Sequence, residues 1–306
     1  MDAAVPEVRP RRVAATGGVR ARKAADAIAT VVLWAMALSI ILMLAAFVIY
    51  MIYLGASALS PAFIFGQPKE TTAGGGIGPE IFNSFYILML TLLFTIPIAL
   101  CAGIYLQEYA KPGPFRTIVQ FSAESLATVP SIVMGLFGLL IFVYYFKWGF
   151  TAIGGALTLT LLNLPALMRV TQEALASVPD TLREASMGLG GTKWQTITRV
   201  VLPSAIGRLT TGVVLIAGRI FGETAALIFT AGLSVSANSP YDLNPMHTAE
   251  TLAVHLWYTH SESIVPDVNR IGNGSALVLL IMVLLFNLCA RIIGRALTKR
   301  FTGRTS

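Results

Sequence analysis

Six stretches of this 306-residue chain are apolar for about 20 residues or more, the length a helix needs to cross roughly 30 Å of hydrocarbon at about 1.5 Å per residue. They cover residues 27–54, 81–106, 125–146, 149–168, 209–232 and 275–293. Backbone in lipid has no water to bond, so runs of this length read as helices, and the expected fold is all-α and integral to a membrane, with six transmembrane helices. Composition agrees. Apolar types make up 55% of the chain and charged types 12%, against about 25% charged in an ordinary soluble domain, which excludes a disordered chain and a disulfide scaffold. The first run follows Arg20, Arg22 and Lys23 as a signal peptide would. Its apolar length far exceeds the roughly 7–15 residues of a signal-peptide core, so it reads as a retained span.

A net charge of +7 raises the question of a nucleic-acid partner, which the placement of the charges answers. Eighteen of the 22 Lys and Arg fall on one side of the six runs: the tail before residue 27, the Lys111/Arg116 loop, the 169–208 segment and the end of the chain from Arg291. The other side holds Lys69, Lys147 and Arg270. The positive-inside rule then puts both termini in the cytoplasm of a cell with its plasma membrane crossed several times. Anionic headgroups of membrane lipid account for the basic balance, and no nucleic acid is called for. The organisation expected is a basic cytoplasmic tail (1–26), a six-span domain (27–293) and a basic cytoplasmic tail (294–306). Cys101 and Cys289 lie in apolar runs and have no metal-ligand spacing.

Two loops are too long to be simple connectors. The outer one, 233–274, contains a stretch from His247 to Tyr258 that predicts an interfacial helix. His247, His255 and His260 are spaced by eight and then five residues, which does not prescribe a metal site, so they read as surface histidines and no metal is expected. In the inner loop, 169–208, Ser177-Val178-Pro179-Asp180 fits a capping box and predicts a helix from 178 to about 189, closed by Gly190-Gly191. Thr192-Lys193-Trp194-Gln195 repeats the pattern and starts a second helix, which Pro203 is expected to interrupt. Two short helices at a sharp angle make a rigid knob. It either anchors the spans to headgroups through Arg183, Lys193 and Arg199, or seats on another protein.

Arg219 and Glu223 lie inside the fifth run. Arg219 is ten residues past its start, about 15 Å along a helix and so near the midplane, where an Arg costs about 2.5–3.5 kcal/mol on an insertion scale. At a separation of four the two residues share a face and can neutralise each other. The other reading is that Arg219 offers bidentate donors to a tetrahedral oxyanion, with Glu223 holding the guanidinium between passages. Pro97, Pro130, Gly135 and Gly138 supply helix breaks and close approach where a pathway could be lined, with Ser131 as a further polar group. The sequence has no G-x-x-x-x-G-K-[ST], and Gly74-Gly75-Gly76-Ile77-Gly78 is followed by no Lys-Ser or Lys-Thr. It has no H-E-x-x-H and no Ser/His pair for hydrolysis, so an enzyme is not expected.

The knob also carries a resemblance. Glu184-Ala185-Ser186, Gly190 six residues after the Glu, and Val200-Val201-Leu202-Pro203 resemble the EAA signature of binding-protein-dependent ABC importer permeases, with Ser186 for the second Ala and Val200 for Ile. That resemblance implies the type I importer (MetI-like) fold, with the knob as a coupling helix seated on an ATPase. Glu184, Ala185, Gly190, Leu202 and Pro203 would be the coupling residues, and ATP and Mg would be bound by the partner ATPase, with no cofactor in this chain. Gly74 to Gly78, Val129-Pro130-Ser131 through Gly138, and Gly222-Glu223-Thr224-Ala225 through Gly232 are similar to the A-type permeases of phosphate-specific importers. Ala226 departs from the Pro often found there, which predicts a less kinked end to the fifth span. The likeness implies functional charges at Arg219, Glu223 and Arg169, although Arg169 serves equally as a positive-inside anchor. The implied partners are a homologous permease subunit, an ATPase dimer and an extracytoplasmic phosphate-binding protein. A permease for sulfate or molybdate and a secondary anion transporter are the alternatives.

Overall fold

A computed structural model describes residues 16–69, 72–236 and 239–302, which leaves Arg9, Arg11 and Arg12 of the basic tail outside the described residues. The chain divides into two compact units, Met1–Tyr53 and Leu54–Ser306. The described residues of the first unit belong to α1 (Thr16–Gly55), whose stretch after Asp26 is apolar on every side, as a lipid-solvated helix must be. Its span, Arg22–Ala58, includes the predicted 27–54.

The second unit continues with α2 (Pro61–Phe65), α3 (Gly78–Ile104), α4 (Pro114–Ala127), α5 (Ser131–Gly138), α6 (Ala152–Ala176), α7 (Asp180–Gly188), α8 (Lys193–Thr196), α9 (Leu202–Phe221), α10 (Ala225–Ile228), α11 (Leu252–Ser261) and α12 (Val268–Thr302). Among the described residues there is no strand, only an antiparallel bridge between Val235 and Ala249. Wider π-helical turns extend three helices, at Tyr105–Tyr109, Leu139–Tyr145 and Ile197–Val201. Five helices are long and apolar enough to cross a membrane, and six spans result if the bent pair Pro114–Ala127 and Ser131–Tyr145 counts as one.

α3 packs along α6, α6 against α9, and α9 against α12. Between lipid-solvated helices the drive to associate is close packing, not removal of apolar surface from water, so small residues matter at the crossings. A Cβ on Gly103 would lie 2.6 Å from the Thr171 side chain, and one on Gly212 2.2 Å from Val170 Cγ1. Leu88, Leu159, Leu167 and Leu227 fill the core with almost no exposure. Two of its buried hydroxyls bond within it: Thr95 Oγ1 donates to Thr160 Oγ1 at 3.2 Å, and Thr160 Oγ1 donates to the Ala156 carbonyl at 2.8 Å.

Three predicted spans shift. The third, 125–146, is broken by a 101° bend between α4 and α5, because Pro130 cannot continue the helix. The straight part, Ser131–Tyr145, is about 22 Å long and does not cross by itself. The fourth, α6, runs on to Ala176, so 169–176 belong to the span helix and not to a loop. The fifth occupies Lys193–Phe221 instead of 209–232. Pro203 does not interrupt it: the π-helical turn at Ile197–Val201 leads into Pro203 at the start of α9, where a missing N–H does least harm. At the far end the chain breaks at Gly222 and Glu223 although residue 226 is Ala, so the expected straighter end is not found. At the chain's end α12 continues through Thr302.

Candidate functional site

The knob forms as a helix, a left-handed turn and a second helix. Gly190 adopts φ +85°, a region that costs a residue with a Cβ about 1–2 kcal/mol, and so reverses the chain. Thr192 and Gln195 make both bonds of a capping box, Gln195 N to Thr192 Oγ1 (3.3 Å) and Thr192 N to Gln195 Oε1 (2.9 Å). Ser177 does not cap α7 as expected. It ends α6, its Oγ donating to the Ala174 carbonyl at 2.7 Å, and α7 begins after Pro179 at Asp180.

Arg183, read above as a headgroup contact, fastens the knob to the bundle. Its guanidinium donates to the Val178 carbonyl (2.6 Å), Asp180 Oδ1 (3.0 Å), the Leu175 carbonyl (2.8 Å) and Glu108 Oε1 (2.8 Å). Arg183 and Glu108 side chains are only 14% and 8% exposed, which makes this a buried, multiply bonded pair. Lys193 Nζ lies 4.9 Å from the centre of the Tyr109 ring, a second tie to the end of α3. Beneath, Ala174, Leu175, Val178, Val201, Ala205 and Leu209 form a small core of their own, with Leu202 half-buried at its margin.

The outer face of the knob is open. Glu184 and Ala185 are exposed, with Leu182, Met187, Leu189 and Trp194 around them. Leu189 is 91% exposed, an apolar side chain held in water by a rigid turn. Nothing in the sequence spacing marked Arg183; its partner Glu108 comes from another helix.

Arg219 and Glu223 are not the same-face pair that spacing suggested. Arg219 sits in the last turn of α9, and Glu223 lies beyond the helix end, where its Oε1 accepts from the Ala226 N–H at 3.4 Å. Arg219 is exposed and, among the described residues, has no carboxylate partner, whereas Arg169, Arg183 and Arg270 each hold at least one. It also lies in the last turn before the helix breaks, not in a helix interior. What fixes it is the next turn: Phe221 meets Phe85 of α3 edge-on at 5.1 Å and stacks near Phe286 of α12 at 5.7 Å. Arg169 pairs with Glu173 (3.1 Å) and Glu124 (3.9 Å) in an exposed network. Ser131 opens α5, half-buried. Farther along α5, Cβ atoms on Gly135 and Gly138 would lie 2.9 Å from Ala226 Cα and 2.6 Å from Thr230 Cγ2, so α5 is packed on the chain just after Glu223.

At the other end of α6, the 233–274 segment is folded into the bundle. The N–H groups of Ala152 and Ile153 donate to the carbonyls of His247 and Pro245, both at 2.8 Å. The helix expected in this loop forms as α11: Leu252, Ala253, Val254 and His255 are buried, and it packs on α3 and α12. The surface reading holds for His260 only. His247 Nδ1 bonds Asp242 Oδ2 at 2.5 Å, and His255 is buried beside Glu250 and Glu80. Burial opposes charge on the His255 ring, but the hydrogen bond to Glu250 and the charges of both carboxylates outweigh it and raise its pKa. Asp242 is held down at about 2 by its bonds from His247 and the Asn244 N–H. The glycine stretch before α3 spends its amides on packing: Gly76, Ile77 and Gly78 N–H donate to Gln67, Phe63 and Gly66 carbonyls at 2.8–2.9 Å.

Comparison with known proteins fits this anatomy. Residues 95–303 match the family described as the binding-protein-dependent transport system inner membrane component. The chain is 44% identical over 292 residues to the probable ABC transporter permease protein YqgI of Bacillus subtilis, covering 92% of this chain and 99% of that one. It is 32% identical over 226 residues to the phosphate transport system permease protein PstA of Yersinia pestis, covering 74% and 75%. Among solved structures it shares its fold with a bacterial alginate ABC transporter in complex with an alginate pentasaccharide-bound periplasmic protein (TM-score 0.66, 17% identity, 90% of this chain and 97% of that one). The inward-facing MetNI methionine ABC transporter is a further neighbour (TM-score 0.56, 18% identity, 72% and 94%). The helical bundle and the matched family lead to one conclusion: this chain belongs to the binding-protein-dependent transport system inner membrane components, as a multi-pass ABC transporter permease subunit.

Proposed function

We propose that the chain forms half of the pathway of an ATP-driven phosphate importer. It would sit beside a homologous permease of the PstC kind, on two PstB-like ATPase subunits, and beneath a PstS-like extracytoplasmic phosphate-binding protein. Both termini and the knob face the cytoplasm in this arrangement. α7, with Glu184 and Ala185 outward, presents the coupling surface; Gly190 turns the chain, and Leu202 and Pro203 form the base. The ATPase supplies ATP and Mg chemistry, and this chain binds neither.

The observation that carries the phosphate reading is Arg219. Among the described residues it is an exposed guanidinium without a carboxylate partner, held by a fixed helix end, with a carboxylate four residues on in sequence that is bonded elsewhere. A planar fork of donors suits a tetrahedral oxyanion better than an ammonium would. Glu223, four residues on, adds a negative charge to the same chain break, which disfavours a resident anion and keeps the contact transient. Relatives named phosphate permeases, at 32–34% identity over 71–78% of the chain, support the same reading. Arg169 and Ser131 are the further pathway candidates.

The test is phosphate uptake in cells whose only copy carries Arg219→Gln or Glu184→Ala, with complex assembly checked by co-purification. Expected are loss of uptake with an assembled complex for Arg219→Gln, and loss of ATPase binding or of coupling for Glu184→Ala. Normal phosphate uptake with both variants overturns the reading. Uptake of sulfate or molybdate in place of phosphate by the unaltered complex replaces the substrate.

A further inference from the structure

Glu80, at the start of α3, is fully buried, and neither of its carboxylate oxygens has a hydrogen-bond partner. Leaving an ionised carboxylate in that state costs several kcal/mol, so the group either takes a proton or meets a cation, and its surroundings decide which. What faces it is specific. His255 Nδ1 of α11 lies 3.7 Å from Glu80 Oε1 and 3.2 Å from Glu250 Oε1, and one ligand atom from each of the three residues falls within 4.8 Å of the others. All three side chains are at least nine-tenths buried. On the imidazole's other side Nε2 is also buried without a partner.

These separations resemble the edges of a coordination polyhedron. Bonds of about 2.0–2.1 Å to a tetrahedral Zn2+ place neighbouring ligand atoms about 3.3 Å apart. One imidazole nitrogen and two carboxylate oxygens are a hard-to-borderline donor set of the kind Zn2+ accepts with a solvent molecule as fourth ligand. A cavity of about 120 Å³, bordered by Glu250 and His255 together with Gly75 and Tyr258, gives the ion and that solvent a way in.

From this geometry we infer that Glu80, Glu250 and His255 form a divalent-cation site of the Zn2+ type. The ion ties the first turn of α3 to α11 and to the segment preceding it. Its role is structural: it cross-links segments far apart in sequence at the end of the bundle where the 233–274 segment closes. The inference is independent of the transported anion.

The assay uses the purified complex, stripped with chelator and returned to chelator-free buffer, with Zn2+ as titrant and Co2+ as spectroscopic probe. Expected are one tight Zn2+ per copy of this chain, a visible tetrahedral Co2+ band displaced by Zn2+, and a Zn2+-dependent rise in Tm. Glu80→Gln and His255→Gln should each weaken binding by about 100-fold or more and abolish the band, while His260→Gln changes neither. If the stripped unaltered complex takes up no tight Zn2+, the cluster is instead a proton-sharing triad and the inference fails; this arm does not depend on the variants folding. Undiminished binding in well-folded Glu80→Gln and His255→Gln complexes, an adventitious ion only, overturns it equally.

Discussion

α6 leads at its two ends into polar structures of opposite design. At its C-terminal end the knob satisfies its charges locally, with Arg183 making bonds to two carbonyls and two carboxylates, and turns apolar side chains outward. At its N-terminal end the chain closes with Leu252, Val254, Val265 and Ile271 turned inward, packed beside the buried carboxylate of Glu80 in α3, whose oxygens have no hydrogen-bond partner. A surface made to be covered by another protein needs a rigid frame and an open face; a closure needs the reverse. In the proposed arrangement the contrast separates the face that would receive the ATPase from the end where the chain closes over α3 and α12.

The largest way to break this contrast is to unfasten the knob. Arg183→Met leaves Glu108 buried without its partner, and losing one member of a buried pair costs about 3–5 kcal/mol. Thermal unfolding in detergent should show it, and adding Glu108→Gln should restore part of the loss; equal Tm values for the single variant and the unaltered chain would mean the pair does not hold the knob. A middle-sized effect distinguishes two glycines. Gly76→Ala puts a Cβ within 2.5 Å of the Gly66 backbone, which cannot yield cheaply, and should cost about 1–3 kcal/mol. Gly190→Ala meets nothing within 4 Å and loses only the left-handed conformation, about 1–2 kcal/mol.

Smaller still is the Asp242 carboxylate. Its folded pKa lies below the ordinary 3.8, so its contribution is present above that value and is lost as pH falls through about 2. Asp242→Asn at neutral pH should therefore raise hydrogen exchange around residues 242–248, as acid does, with global Tm unchanged. Least for stability is Leu189→Ala, within about 0.5 kcal/mol because the side chain is already in water. Its effect should appear only as weakened ATPase co-purification, and a stability loss without that weakening would make the knob a buried anchor instead.

Much of this was legible in the sequence, and the failures have physical causes. The first, second and sixth spans follow from apolar length, since few other structures tolerate such runs. Length fails where an apolar segment is covered by protein. Residues 225–231, counted into the fifth span, form a short helix and turn that pack under Gly135 and Gly138 of α5. Pro203 misled because a proline's missing N–H is harmless at a helix start preceded by a wider turn. The Thr192 box and the Gly190 turn were readable because both are made by residues within four positions of each other. Arg183 with Glu108, and His255 with Glu80, were not, because each pairing joins distant segments and no local spacing encodes it.

The continuous helix that begins at Lys193 and ends at Phe221 has a mechanical consequence. Its 29 residues make a rod about 43 Å long, with Lys193 at one tip and Arg219 two residues from the other. A tilt of about 5° pivoting at the knob swings the Arg219 tip by about 4 Å, more than the length of a hydrogen bond. If the knob couples as proposed, the knob and the guanidinium would be two ends of a lever, a push on one read as displacement at the other.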